Sequence, residues 1–262
     1  MTVFFHELRR GRVALIIWTL VIALMLAVDL LVFPVMAASI DELNGMMEQM
    51  GELSGAFGMD KVDIARFTGY FATQCASVLG VGGALYAALM GVSALAGEEK
   101  EHTAEFLLTH PVSRASVAGQ KLLSIIVRLA VVTIASAAAA VISMLIIGET
   151  ADGKTMFLIF LANFLMFVQI ACVTFGLSAF IRNGGVGISI GLVLLLYFAS
   201  MLPALVGGAK AIGYFTPFAY SDGPTIAEKG AIDTGYLLAG AAFALVGAAV
   251  GIRRFCKKDI AG

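Results

Sequence analysis

Six apolar runs, each about as long as a bilayer is thick, constrain this chain more than any other feature. They cover residues 13–33, 70–96, 118–147, 156–181, 186–205 and 235–252. A helix that crosses about 30 Å of hydrocarbon needs about 20 apolar residues. The spacing predicts six transmembrane helices in an all-α polytopic membrane protein, with residues 1–262 forming one transmembrane domain. Composition agrees: 13% of residues are charged, against about 25% in a soluble domain. The first run is too long for a signal peptide, whose apolar region spans about 7–15 residues. It therefore reads as a span, preceded by the basic residues Arg9, Arg10 and Arg12. Residues 2–12, TVFFHELRRGR, can put Phe4, Phe5 and Leu8 on one side and the arginines on the other. That pattern suits a short interfacial helix.

Lys and Arg counts set the expected orientation. With the N-terminus inside, the inner pieces carry eleven: Arg9, Arg10, Arg12, Lys100, Arg114, Lys121, Arg182, Arg253, Arg254, Lys257 and Lys258. The outer pieces carry five: Lys61, Arg66, Lys154, Lys210 and Lys229. Both termini are expected in the cytoplasm of a cell whose plasma membrane holds the chain. Net charge is −1, so no basic surface for nucleic acid is expected. Cys75 and Cys172 lie in apolar runs and Cys256 among basic residues, which is not a disulfide framework.

Small residues line several spans, where they let helices approach closely. Gly80, Gly82, Gly83 and Gly91 lie in the second span. Gly187 and Gly191 in the fifth, and Gly247 and Gly251 in the sixth, stand at GxxxG spacing. The outer loop 35–69 carries Met46, Met47 and Met50 at helical spacing with Leu43 and Leu53. It is expected to form an amphipathic helix packed on the bundle.

Residues 97–121, GEEKEHTAEFLLTHPVSRASVAGQK, are a long polar interruption with a helical pattern of their own. Glu98, Glu101, Glu105 and Thr109 share one helical face, and Phe106 and Leu107 point elsewhere. Pro111 forces a break after His110. Ser113 or Ser116 can then cap a new helix. The order of Glu98, Glu99, Thr103, Glu105, Phe106, Leu107, Leu108, Pro111, Val112, Ser113, Arg114, Gly119 and Lys121 resembles the first cytoplasmic loop of ABC-2 type transporter permeases. His102 stands where that family more often has Gly. The Glu-Leu-Arg-Arg start resembles the family's N-terminal elbow helix, and Thr216-Pro217-Phe218 resembles a segment before the last span that dips into the outer leaflet.

The resemblance implies a cytoplasmic coupling helix that docks into a separate ATPase subunit. Its coupling residues would be Glu98, Glu99, Glu101, Thr103, Glu105, Phe106, Leu107, Pro111 and Arg114. It further implies a homodimer or heterodimer of permeases in membrane lipid, mostly serving export. ATP and Mg would bind the partner ATPase, with no cofactor on this chain. The alternative is an ion-driven secondary transporter, which lacks support from any visible inverted repeat.

One motif competes. Residues 148–155, GETADGKT, match the P-loop pattern literally. A P-loop needs a strand before it and a helix N-terminus after it to cradle phosphate. Here an apolar span precedes, Glu149 and Asp152 would repel phosphate, and the charge count puts the loop outside. It reads as a turn, so ATP hydrolysis must come from a partner. His6, His102 and His110 form no zinc motif. Asp29 and Arg128 are ionisable residues at apparent membrane depth and so are candidate pathway residues. They are expected too far apart in depth to pair, with Arg128 reaching inward to Glu105 or lipid phosphate. Asn163 and Gln169 in the fourth span are further pathway candidates, with interhelical hydrogen bonding the expected role.

Overall fold

The computed structural model describes residues 2–39, 66–100, 113–181, 185–205 and 209–257. Among the described residues every regular element is helical, and six helices are long and apolar enough to cross a membrane. Helix α1 (Thr2–Arg10) is the short amphipathic entry. Gly11 separates it from α2 (Arg12–Leu31). Only Ile22, Leu26 and Leu30 of α2 are buried, one stripe at i, i+4, i+8. Much of the rest of α2, including Leu20 and Leu24, is exposed apolar surface suited to lipid. Pro34 does not end the run as its position suggests. It falls in the first turn of α3 (Phe33–Ala38), where its missing N–H breaks no hydrogen bond. The first span thus extends over Arg12–Ala38.

The second span is α4 (Phe67–Gln74), a π-helical turn (Cys75–Leu79) and α5 (Gly80–Lys100). Thr73 and Ser77 turn their hydroxyls back to the carbonyls of Gly69 and Thr73. Such back-bonding bends helices, and π-turns collect at functional positions. Helix α6 (Arg114–Ile147) starts under Ser113, whose Oγ accepts from Ser116 N at 3.2 Å. It starts four residues before the apolar run does. Gly148, at φ +75°, closes its far end.

Helix α7 (Gly153–Ser178) is the central post, packed chiefly between α5 and α10 (Thr234–Lys257). Glycine decides both seams. The Phe167 ring lies where a Cβ on Gly83 would stand. On the other side Gly176, Gly247 and Gly251 let α7 and α10 meet backbone to backbone. Helix α8 (Gly185–Leu205) packs on α5, with Ser189 Oγ donating to Ala88 O at 3.3 Å. Its GxxxG pair packs on none of the described residues, since a Cβ at Gly187 or Gly191 would meet nothing within 4 Å.

Between α8 and α10 the chain folds back into the bundle through two 3-10 turns (Ala209–Tyr214 and Pro217–Ala219) and α9 (Gly223–Lys229). Thr216 Oγ1 donates to Leu196 O at 2.7 Å, and Tyr220 OH donates to Gln169 Oε1 at 2.8 Å. Leu196 lies about 16 Å along α8 from its start, and Gln169 about 14 Å along α7 from its end, at about 1.5 Å per residue. The segment therefore reaches about half-way through the apolar layer. Irregular backbone at such depth is tolerated where protein buries it, and here Phe218, Tyr220, Ser221 and Ile226 are buried.

Candidate functional site

Helix alternation puts the start of α2, the end of α5, the start of α6 and the end of α10 at one end of the bundle, together with α1. That end carries the expected coupling region. Glu98 and Glu99 lie on the last turn of α5, and Arg114 is the first residue of α6. Glu101, Thr103, Glu105, Phe106, Leu107 and Pro111 lie outside the described residues, as does the Met-rich outer segment. What the described residues supply is the base of the loop, two long helices joined by α1.

Helix α1 lies along the first turns of α6. Phe4 N donates to Gln120 Oε1 at 3.3 Å. One turn on, Lys121 Nζ donates to Glu7 Oε1 at 2.8 Å, with side-chain exposures of 5% and 18%. The pair is largely withdrawn from water, so it holds α1 more firmly than an exposed ion pair would. Arg128, two further turns along α6, is also buried. Its Nη2 donates to Glu7 O and its Nη1 lies 3.3 Å from Met90 Sδ on α5. The guanidinium stands where a Cβ on Gly11 would be. Three elements are thereby knotted by one arginine, beside a pocket of about 220 Å³.

This placement corrects the expected environment of Arg128. It stands nearer the membrane edge than its place in the apolar run suggests, and its partners among the described residues are the Glu7 carbonyl and Met90. The reason is length. Arg128 is about 28 Å from Ile147 along α6, close to the full thickness of about 30 Å of hydrocarbon. Its neighbour Gly11 precedes the first residue of the first span. Arg128 stands at the edge of the apolar layer, and the turns of α6 before it lie alongside α1.

The other three pathway candidates lie apart. Asp29, partly exposed near the far end, offers its backbone carbonyl to Tyr70 OH at 2.8 Å. Asn163 is fully buried about 15 Å into α7. It donates within its own helix to Ile159 O at 2.9 Å, whereas its Oδ1 has no partner among the described residues. Gln169 holds Tyr220, and a Cβ on Gly240 would collide with its amide. Of the two amides, Gln169 makes the bond between elements and Asn163 does not.

The far end holds a second cleft of about 300 Å³ beneath the re-entrant segment, polar along Thr73, Ser77, Ser200, Asp222, Thr225 and Glu228. Loop 148–155 turns at that end. Asp152 Oδ2 accepts from both Thr155 N and Thr155 Oγ1 at 2.8 Å, which holds its carboxyl below the usual range. The helix N-terminus that a P-loop would offer to phosphate is taken by this carboxylate. Among the described residues no three His, Cys, Asp or Glu side chains converge on a metal position.

A family model described as ABC-2 family transporter protein matches residues 1–260. The chain belongs to this family. As an ABC-2 permease it is the membrane subunit of an ABC transporter and works with a separate ABC ATPase subunit. No individually curated protein matches the chain.

The knot of Glu7, Lys121 and Arg128 in the permease escapes sequence reasoning because its partners are 114 and 121 residues apart. The one signal was Lys121 itself, a cation seven residues before Arg128 on a helix that otherwise turns apolar.

Proposed function

We propose that this permease is half of an ATP-driven exporter in the plasma membrane, working as a homodimer or heterodimer, with both termini and the loop 97–121 in the cytoplasm. The ATPase pair binds ATP and Mg, and its closure pushes on a coupling helix within loop 97–121. One observation carries the reading. Helix α5 runs to Lys100, and α6 begins at Arg114 under a Ser113 cap, so loop 101–112 is carried on two long helix ends beside α1. A push on that loop acts on α6, and through Lys121 and Arg128 on α1 and the first span. Helix α5 passes the same push to α7 along the Gly83 and Gly91 contacts. The far cleft beneath the re-entrant segment is then the release side.

The test replaces residues 101–112 with a Gly-Ser linker of equal length. The expected result is normal membrane insertion with loss of ATPase capture in a pull-down. Unchanged capture would remove the loop from the mechanism.

A further inference from the structure

The pocket at the α1 end has a buried guanidinium in its wall. Arg10, Lys121 and Arg128 line it with Glu7, the one carboxylate among its described lining residues, and Ser93 and Ser124 are neutral polar neighbours. Glu7 is engaged by Lys121. Arg128 is 5% exposed, and the two partners found for it, a thioether and a peptide carbonyl, are both uncharged. Its Nε is buried and has no hydrogen-bond partner among the described residues. A desolvated guanidinium calls for an anion, and its planar fork suits phosphate oxygens.

Depth selects the source of that anion. Gly11, Met90 and Arg128 meet at the edge of the apolar layer, where lipid phosphates lie. Helix α1 lies there too, with Phe5 60% exposed, followed by the exposed apolar flank Val13, Ile16 and Ile17 of α2. An acyl chain can run along that flank while its headgroup enters the pocket. We propose that this pocket binds the phosphate of an anionic phospholipid, with Arg128 as its buried donor and Arg10 at its rim.

The test uses the full-length permease in neutral detergent, with phosphatidylglycerol, phosphatidylcholine and inorganic phosphate as separate probes. Lipid adducts are counted by native mass spectrometry, and thermal midpoints are read in parallel. Phosphatidylglycerol should give one retained adduct per chain and raise the midpoint. Phosphatidylcholine and inorganic phosphate should do neither. Arg128→Gln should weaken the adduct by at least about tenfold, the scale of a lost charge-assisted hydrogen bond. Ser93→Asp puts a carboxylate at an exposed pocket position and should do the same, which keeps the test valid if Arg128→Gln fails to insert. Equal adducts from both lipids, or adducts unchanged in both variants, would overturn the proposal. So would protection by inorganic phosphate alone. A response to phosphatidylglycerol that appears only after Glu101→Gln and Glu105→Gln would assign the pocket to the loop's own carboxylates, and would also overturn it.

Discussion

Two GxxxG pairs in this chain look alike in sequence and should respond oppositely to the same substitution. At Gly247 a Cβ would stand 2.6 Å from Cys172 O and 2.8 Å from Val173 Cα, both backbone atoms that cannot rotate away. Restoring an ordinary contact of 3.4 Å requires α7 and α10 to part by about 0.8 Å along a seam shared with Gly176 and Gly251. Overpacking of this kind costs about 1–3 kcal/mol. At Gly191 a Cβ meets nothing within 4 Å. The gain in helix propensity from Gly to Ala, about 1 kcal/mol, is common to both sites and cancels in the comparison. At about 2–4 °C per kcal/mol for a chain of this size, Gly247→Ala should melt about 2–12 °C below Gly191→Ala. The assay is thermal unfolding with a thiol-reactive fluorogenic dye in a Cys256→Ser background. The remaining cysteines, Cys75 and Cys172, are buried and react only on unfolding. Midpoints that agree within about 1 °C would refute the reasoning that the α7–α10 seam is limited by backbone contact.

Three other outcomes follow from the same geometry. Gly153→Cys should be labelled by an impermeant thiol reagent on intact cells, because the site is exposed and uncrowded, whereas native Cys256 at the opposite end should label only after lysis. The reverse pattern would invert the topology. Lys154→Ala should leave ATP hydrolysis by the assembled complex intact, and its loss with assembly preserved would restore the P-loop reading. Lys121→Met should destabilise the permease by about 1.5–3 kcal/mol, the worth of a charge-assisted hydrogen bond, and adding Glu7→Gln should recover part of that. A double variant as unstable as the single one would mean the pair is not what holds α1.

The spans were legible in sequence because bilayer thickness fixes run length, and the Ser113 cap was legible because its chemistry is local. The depth of Arg128 was not, because α6 continues past the apolar layer and the count from the apolar run placed the residue too deep. Nor was the use of Pro34, which depends on where a new helix begins. Sequence showed two GxxxG pairs but not which one is packed, since that depends on what faces each helix. The pairing of Gln169 with Tyr220, and the absence of such a partner for Asn163, likewise follow from how far the re-entrant segment descends.

The central claim is that loop 97–121 couples a partner ATPase to the spans, and docking energetics give its most direct test. Burying a Phe side chain is worth about 1.5–3 kcal/mol, or about 10- to 150-fold in affinity. An exposed acid–base pair gives about 0–1 kcal/mol, at most about fivefold. The measurement is capture of the ATPase by Phe106→Ala and by Glu101→Ala permease at equal membrane levels. The account predicts that Phe106→Ala weakens capture by at least about tenfold, with Glu101→Ala close to wild type. Normal capture and coupled hydrolysis with Phe106→Ala would contradict it and leave the loop a connector between spans.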